Sequence, residues 1–232
     1  MTVKTNISSL NPLELDIQTI MDHGKVIGRG SERICYTLDD FPEKVFKVSL
    51  PNHTKQAERE LAYYEFLKSR NTSFDHIPKI YGFSEDFQKG GIVIIQQLIL
   101  DAENKVSKNL YGFLDEAESF DAVDTRTAYA HEILNLLEEY LIKYNIVTCD
   151  VVPGNILLCR KDPDNFNFYL IDGIGTHDFI PLCKYWPWLG EKKIRRHMKK
   201  ARRKLNNYAA HVKNKIQNSA SNNNTSESSA YA

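Results

Sequence analysis

The 232-residue sequence contains few cysteines, no cysteine pair at metal-binding spacing and no long apolar run. The scattered cysteines indicate reduced thiols rather than a disulfide framework, a zinc site or a C-x-x-C redox pair. The longest apolar stretch, residues 91–100, is too short to span a bilayer and contains two glutamines. The N-terminal residues lack the basic and apolar regions of a signal peptide. These absences predict a cytoplasmic protein with no transmembrane segment.

The formal net charge is zero, but the charges are unevenly distributed along the chain. Residues 1–183 carry 18 Lys and Arg against 28 Asp and Glu, whereas residues 184–216 carry 12 Lys and Arg against one Glu. This polarity indicates either a basic binding surface or complementarity between two parts of the fold. The apolar content of 42% is sufficient for a sizeable core.

Hydrophobic periodicity predicts a chain of the α+β class. The second half is expected to contain two long helices, of residues 124–145 and 191–216, around a hairpin of residues 156–171. In the first half, residues 56–68 are expected to form a helix among strands. Two of those strands are predicted within residues 25–38, and the others over residues 44–50, 80–83 and 92–98.

The two ends of the chain have compositions that are typical of weakly ordered segments. The first residues are polar, and the last are rich in Ser and Asn with almost no charge. The expected division is therefore a flexible N-terminus over residues 1–19, a β-rich part over 20–98, a helical part over 99–217 and a disordered tail over 218–232.

Three motifs in the first half of the chain suit phosphate binding. Gly28 and Gly30 at a hairpin tip would let backbone N–H groups approach phosphate oxygens, although an ordinary turn uses the same residues. Lys47 lies in an apolar strand, where it is either a snorkelling surface lysine or a buried ammonium that bridges two phosphates. Glu60 on the following helix could hold Lys47 by an ion pair, with Glu58 as a rival on a different face.

Two further motifs follow in the second half. Asp150 and Asn155 lie five residues apart in a Pro-Gly loop, between a long helix and an apolar strand. This spacing suits a carboxylate that orients a hydroxyl and an amide oxygen that binds a metal, although both residues are also common turn formers. Asp172 ends an apolar strand and is followed by glycine, which is a suitable geometry for a Mg²⁺ ligand.

The order of these five motifs resembles that of the protein-kinase-like superfamily. More narrowly, residues 20–205 resemble the small bacterial family of YrbL, or PhoP regulatory network, proteins. The residues that carry this resemblance are T-C-D-V-V-P-G-N-I-L-L at 148–158, I-D-G-I-G at 171–175, and Ile180-Pro181 before a basic K-K-I-R-R helix. The resemblance implies a compact two-lobed fold with a small β-rich N-lobe and a trimmed helical C-lobe, which binds Mg-ATP in the cleft between them.

The resemblance also implies roles for the motif residues. Lys47 would contact the α- and β-phosphates of ATP and pair with Glu60, while Gly28 and Gly30 would cover the phosphates. The hinge that meets adenine through backbone groups would consist of Gln96, Gln97 and Leu98.

In the second half, the same resemblance gives Asp150 the role of orienting the acceptor hydroxyl or acting as its base. Asn155 and Asp172 would hold Mg²⁺. The chain departs from protein kinases in having no A-P-E segment and too few residues after Asp172 for a peptide-binding lobe. Its other departures are Arg33 at the third glycine position, Thr148-Cys149 in place of the His-Arg pair, Val152 in place of a lysine, and Gly173 in place of the phenylalanine of D-F-G.

The basic helix of residues 191–216 has two interpretations. Its apolar stripe could pack on the C-lobe while the bases face water or the acidic remainder of the chain. Alternatively, the bases could bind an anionic partner such as a phosphate-bearing substrate or a lipid surface; nucleic acid is disfavoured because few aromatic residues are interleaved with the bases. Trp186 and Trp188, just upstream, are expected to close the core rather than to anchor at an interface.

Three functions remain compatible with these motifs. The first is a kinase-like phosphotransferase that uses ATP and Mg²⁺ on an unidentified hydroxyl. The second is a non-catalytic kinase-like regulatory module that binds nucleotide or a partner. The third is an anion-binding adaptor that acts through the basic helix.

Overall fold

The computed structural model describes residues 11–86, 90–162, 165–175 and 182–228, and it divides the chain into two compact units after Val106. The first unit is built on an antiparallel sheet and the second is mainly helical. The α+β class, with a β-rich first part and a helical second part, is therefore confirmed. In the described part of the chain, no helix has the length and apolarity needed to cross a bilayer.

Five antiparallel strands form the sheet of the first unit, in the order β1-β2-β3-β5-β4. Two helices accompany them: α1 (Ile17–His23) precedes the sheet, and α2 (Thr54–Ser69) connects β3 to β4. The sequence predicted α2 and the succession of strands before and after it along the chain. The strands are β1 (Lys25–Arg29), β2 (Arg33–Thr37), β3 (Lys44–Ser49), β4 (Ile80–Asp86) and β5 (Gly91–Gln97).

The sheet is covered on both faces, which explains why β5 is an unbroken apolar run. On one face, Val93 and Ile95 of β5 pack with Ile17 and Ile20 of α1 in the larger core cluster. On the other face, Ile92 and Ile94 pack with Ala57 of α2. We call this second side the α2 face, and the alternation of β3 directs Lys47 onto it, because Lys47 pairs with Ile94 across the strands.

The N-terminal segment differs from the flexible one that its composition predicted. A 3-10 helix (Pro12–Glu14) and α1 begin at side-chain caps, since Asn11 accepts from Leu13 N and Asp16 accepts from Thr19 N. Burial of Leu15, Ile17 and Ile20 in the core anchors this segment. The rest of the predicted flexible N-terminus, residues 1–10, lies outside the described residues.

The boundary between the units also lies further along the chain than the predicted break at residues 98–99. Leu98 N donates to Glu43 O at 2.9 Å, which continues the pairing of β3 with β5. Leu100 then forms an antiparallel bridge with Val106. These backbone contacts attach residues 98–106 to the first unit.

Helices dominate the second unit. The buried apolar stripe of α4 (Phe120–Lys143), which includes Leu134 and Leu137, packs on that of α6 (Pro187–Ser228). The N-cap of α4 is Ser119, several residues before the predicted start at residue 124, because Val123 is also buried. The remaining elements are β6 (Lys108–Asn109), α3 (Leu110–Asp115), a 3-10 helix (Pro153–Asn155), β7 (Ile156–Asp162), β8 (Asn165–Leu170) and α5 (Leu182–Tyr185).

The last helix is longer at both ends than the predicted residues 191–216. It begins with Pro187, a residue that suits the first helical turn because its missing N–H would have no partner there. It continues to Ser228, so that residues 218–228 of the predicted disordered tail are helical. Residues 229–232 of that tail, Pro163 and Asp164 of the predicted hairpin turn, and Ile180-Pro181 lie outside the described residues.

Candidate functional site

Lys47 of the first unit is buried on the α2 face and binds Glu60. Its Nζ lies 3.3 Å from Glu60 Oε1, and both side chains are nearly inaccessible to water. Glu60 is one of the inward residues of α2, together with Ala57 and Tyr64, whereas Glu58 is exposed. Helical spacing therefore decides between the two rival carboxylates, since positions three or four residues apart share a face.

Arg33 is a second cation on the same carboxylate, which the sequence analysis noted only as a missing glycine. Its Nη1 donates to Glu60 Oε2 at 2.5 Å, and the guanidinium is also buried. When the amide oxygen of Gln56 faces Arg33, it accepts a further hydrogen bond at 2.8 Å. The sequence signal was available: Arg33 lies two residues before Cys35, which pairs with Lys47, so that β2 alternation puts Arg33 on the α2 face.

The two cations determine the charge state of Glu60. Burial by itself would raise the pKa of the Glu60 carboxyl, but the charges of Lys47 and Arg33 and the hydrogen bonds they donate hold that pKa below its ordinary value. The carboxylate is thus ionised at neutral pH and fixes both cations. The result is a rigid positive cluster on the α2 face of the sheet.

Gly28 and Gly30 lie at the hairpin between β1 and β2, where the fold itself does not require glycine. Gly30 N closes the turn by donating to Arg33 O at 2.9 Å. A Cβ atom at Gly28 or Gly30 would meet no protein atom closer than 3.6 Å. Gly28 pairs with Cys35, which pairs in turn with Lys47, so the hairpin and the lysine belong to one row across the sheet.

The predicted hinge residues differ in whether their hydrogen-bond donors already have a partner within the first unit. Gln97 N donates to Lys79 O and Leu98 N donates to Glu43 O, so both backbone N–H groups are already bound within the first unit. Gln96 is different: its side chain is buried, and its Nε2 has no hydrogen-bond partner in the described part of the chain. Because Gln96 pairs with Val45, two residues from Lys47, this amide lies on the α2 face. An unsatisfied buried donor of this kind requires an explanation.

In the second unit, backbone hydrogen bonds join the Asp150 loop to the Asp172 turn. Cys149 N donates to Gly173 O at 2.7 Å, and Gly175 N donates to Val147 O at 2.8 Å. Asn155 is joined to the same turn, because its O accepts from Ile171 N at 2.9 Å. Three residues that are predicted to act together, Asp150, Asn155 and Asp172, are thus brought to one end of the β7–β8 hairpin.

Gly173 explains why this turn cannot contain the phenylalanine of D-F-G. Its φ of +82° lies in the left-handed region, which side-chain-bearing residues rarely adopt. A Cβ atom there would lie 2.3 Å from the carbonyl oxygen of Asp150. Gly173 N also donates to its neighbour, Asp172 Oδ1, at 2.8 Å. The departure from the kinase pattern is therefore a requirement of close backbone packing.

Lys204 of α6 binds Asp150, which the sequence analysis missed. Its Nζ donates to Asp150 Oδ2 at 2.9 Å, and both side chains are partly exposed. Kinases often carry a lysine two residues after this aspartate, where the present chain has Val152. In this unit a lysine from the basic helix reaches the same carboxylate. Nothing in the sequence distinguished Lys204 from the other bases around it.

A buried side-chain hydrogen bond joins Thr148, two residues before Asp150, to His197 of α6. Thr148 Oγ1 lies 3.1 Å from His197 Nδ1, and both side chains are buried. Burial lowers the pKa of His197, and the charges of Arg196 and Lys193 lower it further, so the imidazole is neutral at physiological pH. The Thr148-Cys149 pair, which replaces His-Arg, is therefore accompanied by a histidine from α6.

The bases of α6 divide into those that form ion pairs within the second unit and those that are exposed. On one side, Arg202 and Arg195 bind Glu138 of α4, and further along Lys213 binds Asp124. On its outer side, Lys192, Arg196, Lys199, Lys200 and Arg203 are exposed. Trp186 and Trp188 are also exposed, so the expectation that they close the core is wrong.

The donors of the second unit fit a magnesium ion. Carboxylate and amide oxygens, as in Asp172 and Asn155, are the ligands that Mg²⁺ takes, usually with only one or two carboxylates and with phosphate oxygens completing the shell. In the described ranges, no group of three or more His, Cys, Asp or Glu could hold a metal.

Comparisons with known proteins agree with the motifs. A family model described as PhoP regulatory network protein YrbL matches residues 20–206. The uncharacterized protein YrbL of Escherichia coli strain K12 is 27% identical over 165 residues, which cover 70% of this chain and 76% of that protein. The YrbL protein of Shigella flexneri gives the same values. The resemblance to this family is thus confirmed.

A solved structure is also similar to the chain. It is the crystal structure of Rad53 1–466 in complex with AMP-PNP, with a TM-score of 0.42 and 18% sequence identity. The match covers 66% of this chain and 39% of the Rad53 chain, so the present chain spans well under half the length of that protein.

Proposed function

We propose, from the premise that this chain belongs to the YrbL family of PhoP regulatory network proteins, that it is a kinase-like phosphotransferase. It would bind Mg-ATP and transfer a phosphoryl group to a hydroxyl-bearing acceptor. The observation that carries the proposal is the joining of Asp150, Asn155 and Asp172 in the second unit. Residues that are separated by up to 22 positions are held together there by backbone hydrogen bonds.

Each of these three side chains has a role that its chemistry supports. Asp150 would accept a hydrogen bond from the acceptor hydroxyl and orient it for attack, as phosphoryl transfer depends mainly on positioning and charge stabilisation. Lys204 would hold the Asp150 carboxylate in place. Asn155 and Asp172 would supply oxygen ligands to Mg²⁺, which neutralises charge on the phosphates when it is bound.

Features of the first unit support nucleotide binding independently. Glu60 holds the Lys47 ammonium in place on the α2 face, which suits it for contact with phosphate oxygens. The lack of side chains at Gly28 and Gly30 would let a phosphate come close to the backbone. The unsatisfied Nε2 of Gln96 would gain an acceptor on the same α2 face. A single bound nucleotide would thus account for the buried lysine, the glycines of the hairpin and the unsatisfied amide.

One observation favours a second candidate, a non-catalytic regulatory module. The Asp150 carboxylate is already bound by Lys204, so that an acceptor hydroxyl would have to compete with an ammonium for its oxygens. A protein of this kind would bind nucleotide without transferring phosphate. The two candidates share the nucleotide site and differ only in turnover.

The test is a thermal melt with and without Mg-ATP on the wild type and on Asp172→Ala. A ligand at about 100 times its dissociation constant adds about 2.7 kcal/mol to the free energy of unfolding. We expect a Mg²⁺-dependent rise in Tm for the wild type, its loss in Asp172→Ala, and its retention in Asp40→Ala, which removes an exposed carboxylate elsewhere. The absence of any shift with millimolar Mg-ATP would refute the phosphotransferase and would leave only a regulatory module that binds a partner, or the anion-binding adaptor.

A second measurement separates them. Phosphate transfer from labelled ATP to a library of hydroxyl compounds is compared between the wild type and Asp150→Asn. The phosphotransferase predicts turnover that Asp150→Asn abolishes while the Mg-ATP shift in Tm remains. A Tm shift with no turnover in any compound would instead support the regulatory module.

A further inference from the structure

Four large apolar side chains are exposed around the start of α6. Tyr185 is 65% exposed, Trp186 50% and Trp188 66%, and Leu182 is exposed to a lesser degree. Scattered exposed apolar residues are ordinary, but four within seven positions form a patch that commonly marks an interaction surface. We call these four residues the aromatic patch.

A row of exposed cations continues from this patch along the outer side of α6. Trp188 is followed at helical spacing by Lys192, Arg196, Lys199 and Arg203, which are exposed and lie within one side of the helix. Among the residues that the structure describes, these four cations have no ion pair or side-chain hydrogen bond, in contrast to Arg202, Lys204 and Lys213. At 1.5 Å per residue, the row from Lys192 to Arg203 is about 16.5 Å long.

The paired and unpaired bases of α6 show that internal complementarity accounts for only part of its charge. The acidic side chains of α4 neutralise the inner edge of the helix, and Asp150 takes up Lys204. The outer row keeps its full positive charge, and like charges at four-residue spacing repel each other. A negatively charged partner that lay against this stripe would relieve the repulsion.

We propose that the aromatic patch and the outer cation row of α6 form a peripheral docking surface for an anionic lipid bilayer. Trp and Tyr side chains favour the headgroup level of bilayers, where the ring lies among acyl chains and its polar edge meets water. Lys and Arg near an anionic leaflet are attracted to it electrostatically. The apolar stripe of α6 is buried against α4, so the helix lies on the headgroups and does not insert.

The arrangement of the patch favours lipid over nucleic acid. Single-stranded nucleic acid needs aromatic rings interleaved with the bases along the binding path. Here the rings are gathered at one end of α6 and no aromatic residue stands among the four outer cations. Duplex DNA could use the cations but would leave Tyr185, Trp186 and Trp188 exposed to water. A bilayer surface accommodates both groups together.

The chain reports on this surface by its own fluorescence. Its only two tryptophans, Trp186 and Trp188, both belong to the aromatic patch. Vesicles of phosphatidylcholine alone and of phosphatidylcholine with one quarter phosphatidylglycerol are added to the full-length protein. We expect a blue shift of tryptophan emission, and co-sedimentation, with the anionic vesicles alone, and we expect both to weaken as salt is added.

A neutralised variant locates the surface. Each basic residue near an anionic leaflet contributes about fivefold to affinity, so Arg196→Gln/Lys199→Gln is expected to lower vesicle affinity about 25-fold. The matched control is Lys55→Gln/Arg59→Gln, which removes two exposed cations from α2 and should leave the affinity within about twofold. Circular dichroism melts verify that both variants fold.

Several results would overturn the proposal. One is the absence of a fluorescence shift and of co-sedimentation with anionic vesicles at low salt. Another is an equal loss of affinity in the α2 control, because the attraction would then reflect net charge alone. A third is complete displacement of the protein from vesicles by duplex DNA at equal phosphate concentration, which would assign the row to nucleic acid.

Discussion

Glu60 in the first unit and Asp150 in the second each bind a lysine, in opposite surroundings. The Glu60–Lys47 pair is buried, with both side chains about 5–6% exposed, and Arg33 joins it. The Asp150–Lys204 pair is 49% and 38% exposed. A buried pair loses far more when one partner is removed, because the remaining charge has no water to solvate it. An exposed pair contributes little and can exchange partners.

The glycines of the two units show the reverse pattern. A Cβ atom at Gly28 or Gly30 of the first unit would make only ordinary van der Waals contacts, whereas one at Gly173 of the second unit would clash with Asp150 O. The first unit thus fixes its charges by burial and leaves its backbone approachable. The second unit fixes its backbone and leaves the Asp150 carboxylate accessible. Under the proposed function, the buried cation would bind phosphate and the accessible carboxylate would meet the acceptor hydroxyl.

The largest expected effect comes from Glu60→Gln, which removes the carboxylate that Arg33 and Lys47 share. Breaking a buried ion pair by removal of one partner costs about 3–5 kcal/mol of unfolding free energy. Urea denaturation at neutral pH measures this loss. The matched control is Glu58→Gln, two residues away on the exposed face of α2, which should change stability by less than about 0.5 kcal/mol.

The pH dependence of this effect has a defined sign. Because the folded-state pKa of Glu60 lies below its ordinary value of 4.5, the contribution of Glu60 to stability is complete above that pH and is lost as pH falls through the folded-state pKa. The gap in stability between wild type and Glu60→Gln should therefore narrow only on the acidic side of pH 4.5. A gap that is small at neutral pH would mean that the cluster does not depend on Glu60.

An intermediate effect is expected for glycine substitutions. Gly173→Ala introduces a Cβ atom 2.3 Å from Asp150 O at a positive φ, and such strain costs on the order of 1–3 kcal/mol. The Cβ atom added in Gly28→Ala would meet no protein atom closer than 3.9 Å, so this variant should lose less than about 1 kcal/mol of unfolding free energy. Thermal melts of both variants compare the two units directly. An equal loss of stability in the two variants would show that the backbone at Gly28 is packed as tightly as that at Gly173.

The smallest effect on stability is expected for Lys204→Met, because the Asp150–Lys204 pair is partly exposed and such pairs contribute about 0–1 kcal/mol. If the second unit catalyses transfer, the same variant should lower turnover about a hundredfold through misplacement of Asp150, with the Mg-ATP shift in Tm retained. Lys200→Met, one helical turn earlier on α6 and exposed, is the control. A loss of stability above about 2 kcal/mol would show that the pair is structural.

Local sequence patterns predicted most of the elements but not their ends. The α2 helix, the β5 strand and the α4 helix follow from periodicity, because their buried residues recur at 3.6 or 2 positions. The N-terminal segment was predicted to be flexible because it is polar on average. Three apolar residues, Leu15, Ile17 and Ile20, are enough to anchor it once a sheet face exists. Such a face is assembled from strands distant in sequence, so composition does not reveal it.

The candidate site was predictable where a motif stays within one element. Asp150 and Asn155 share a loop, and Asp172 ends a strand, so the sequence alone locates them. Lys204 lies 54 residues from Asp150, among a dozen similar bases, and only the packing of α6 selects it. The packing of α6 also decided the exposure of Trp188. Its aromatic character favoured burial, but it lies on a side of α6 that is exposed.

The sequence by itself determined the α+β class, the order of the elements and the family, because each depends on short-range spacing along the chain. Only the tertiary structure decided which charges are paired. It gave Glu60 rather than Glu58 to Lys47, added Arg33, and divided the bases of α6 into an inner paired edge and an outer free row. The physical reason is that ion pairing depends on distance and burial, and both are set by the packing of elements far apart in sequence.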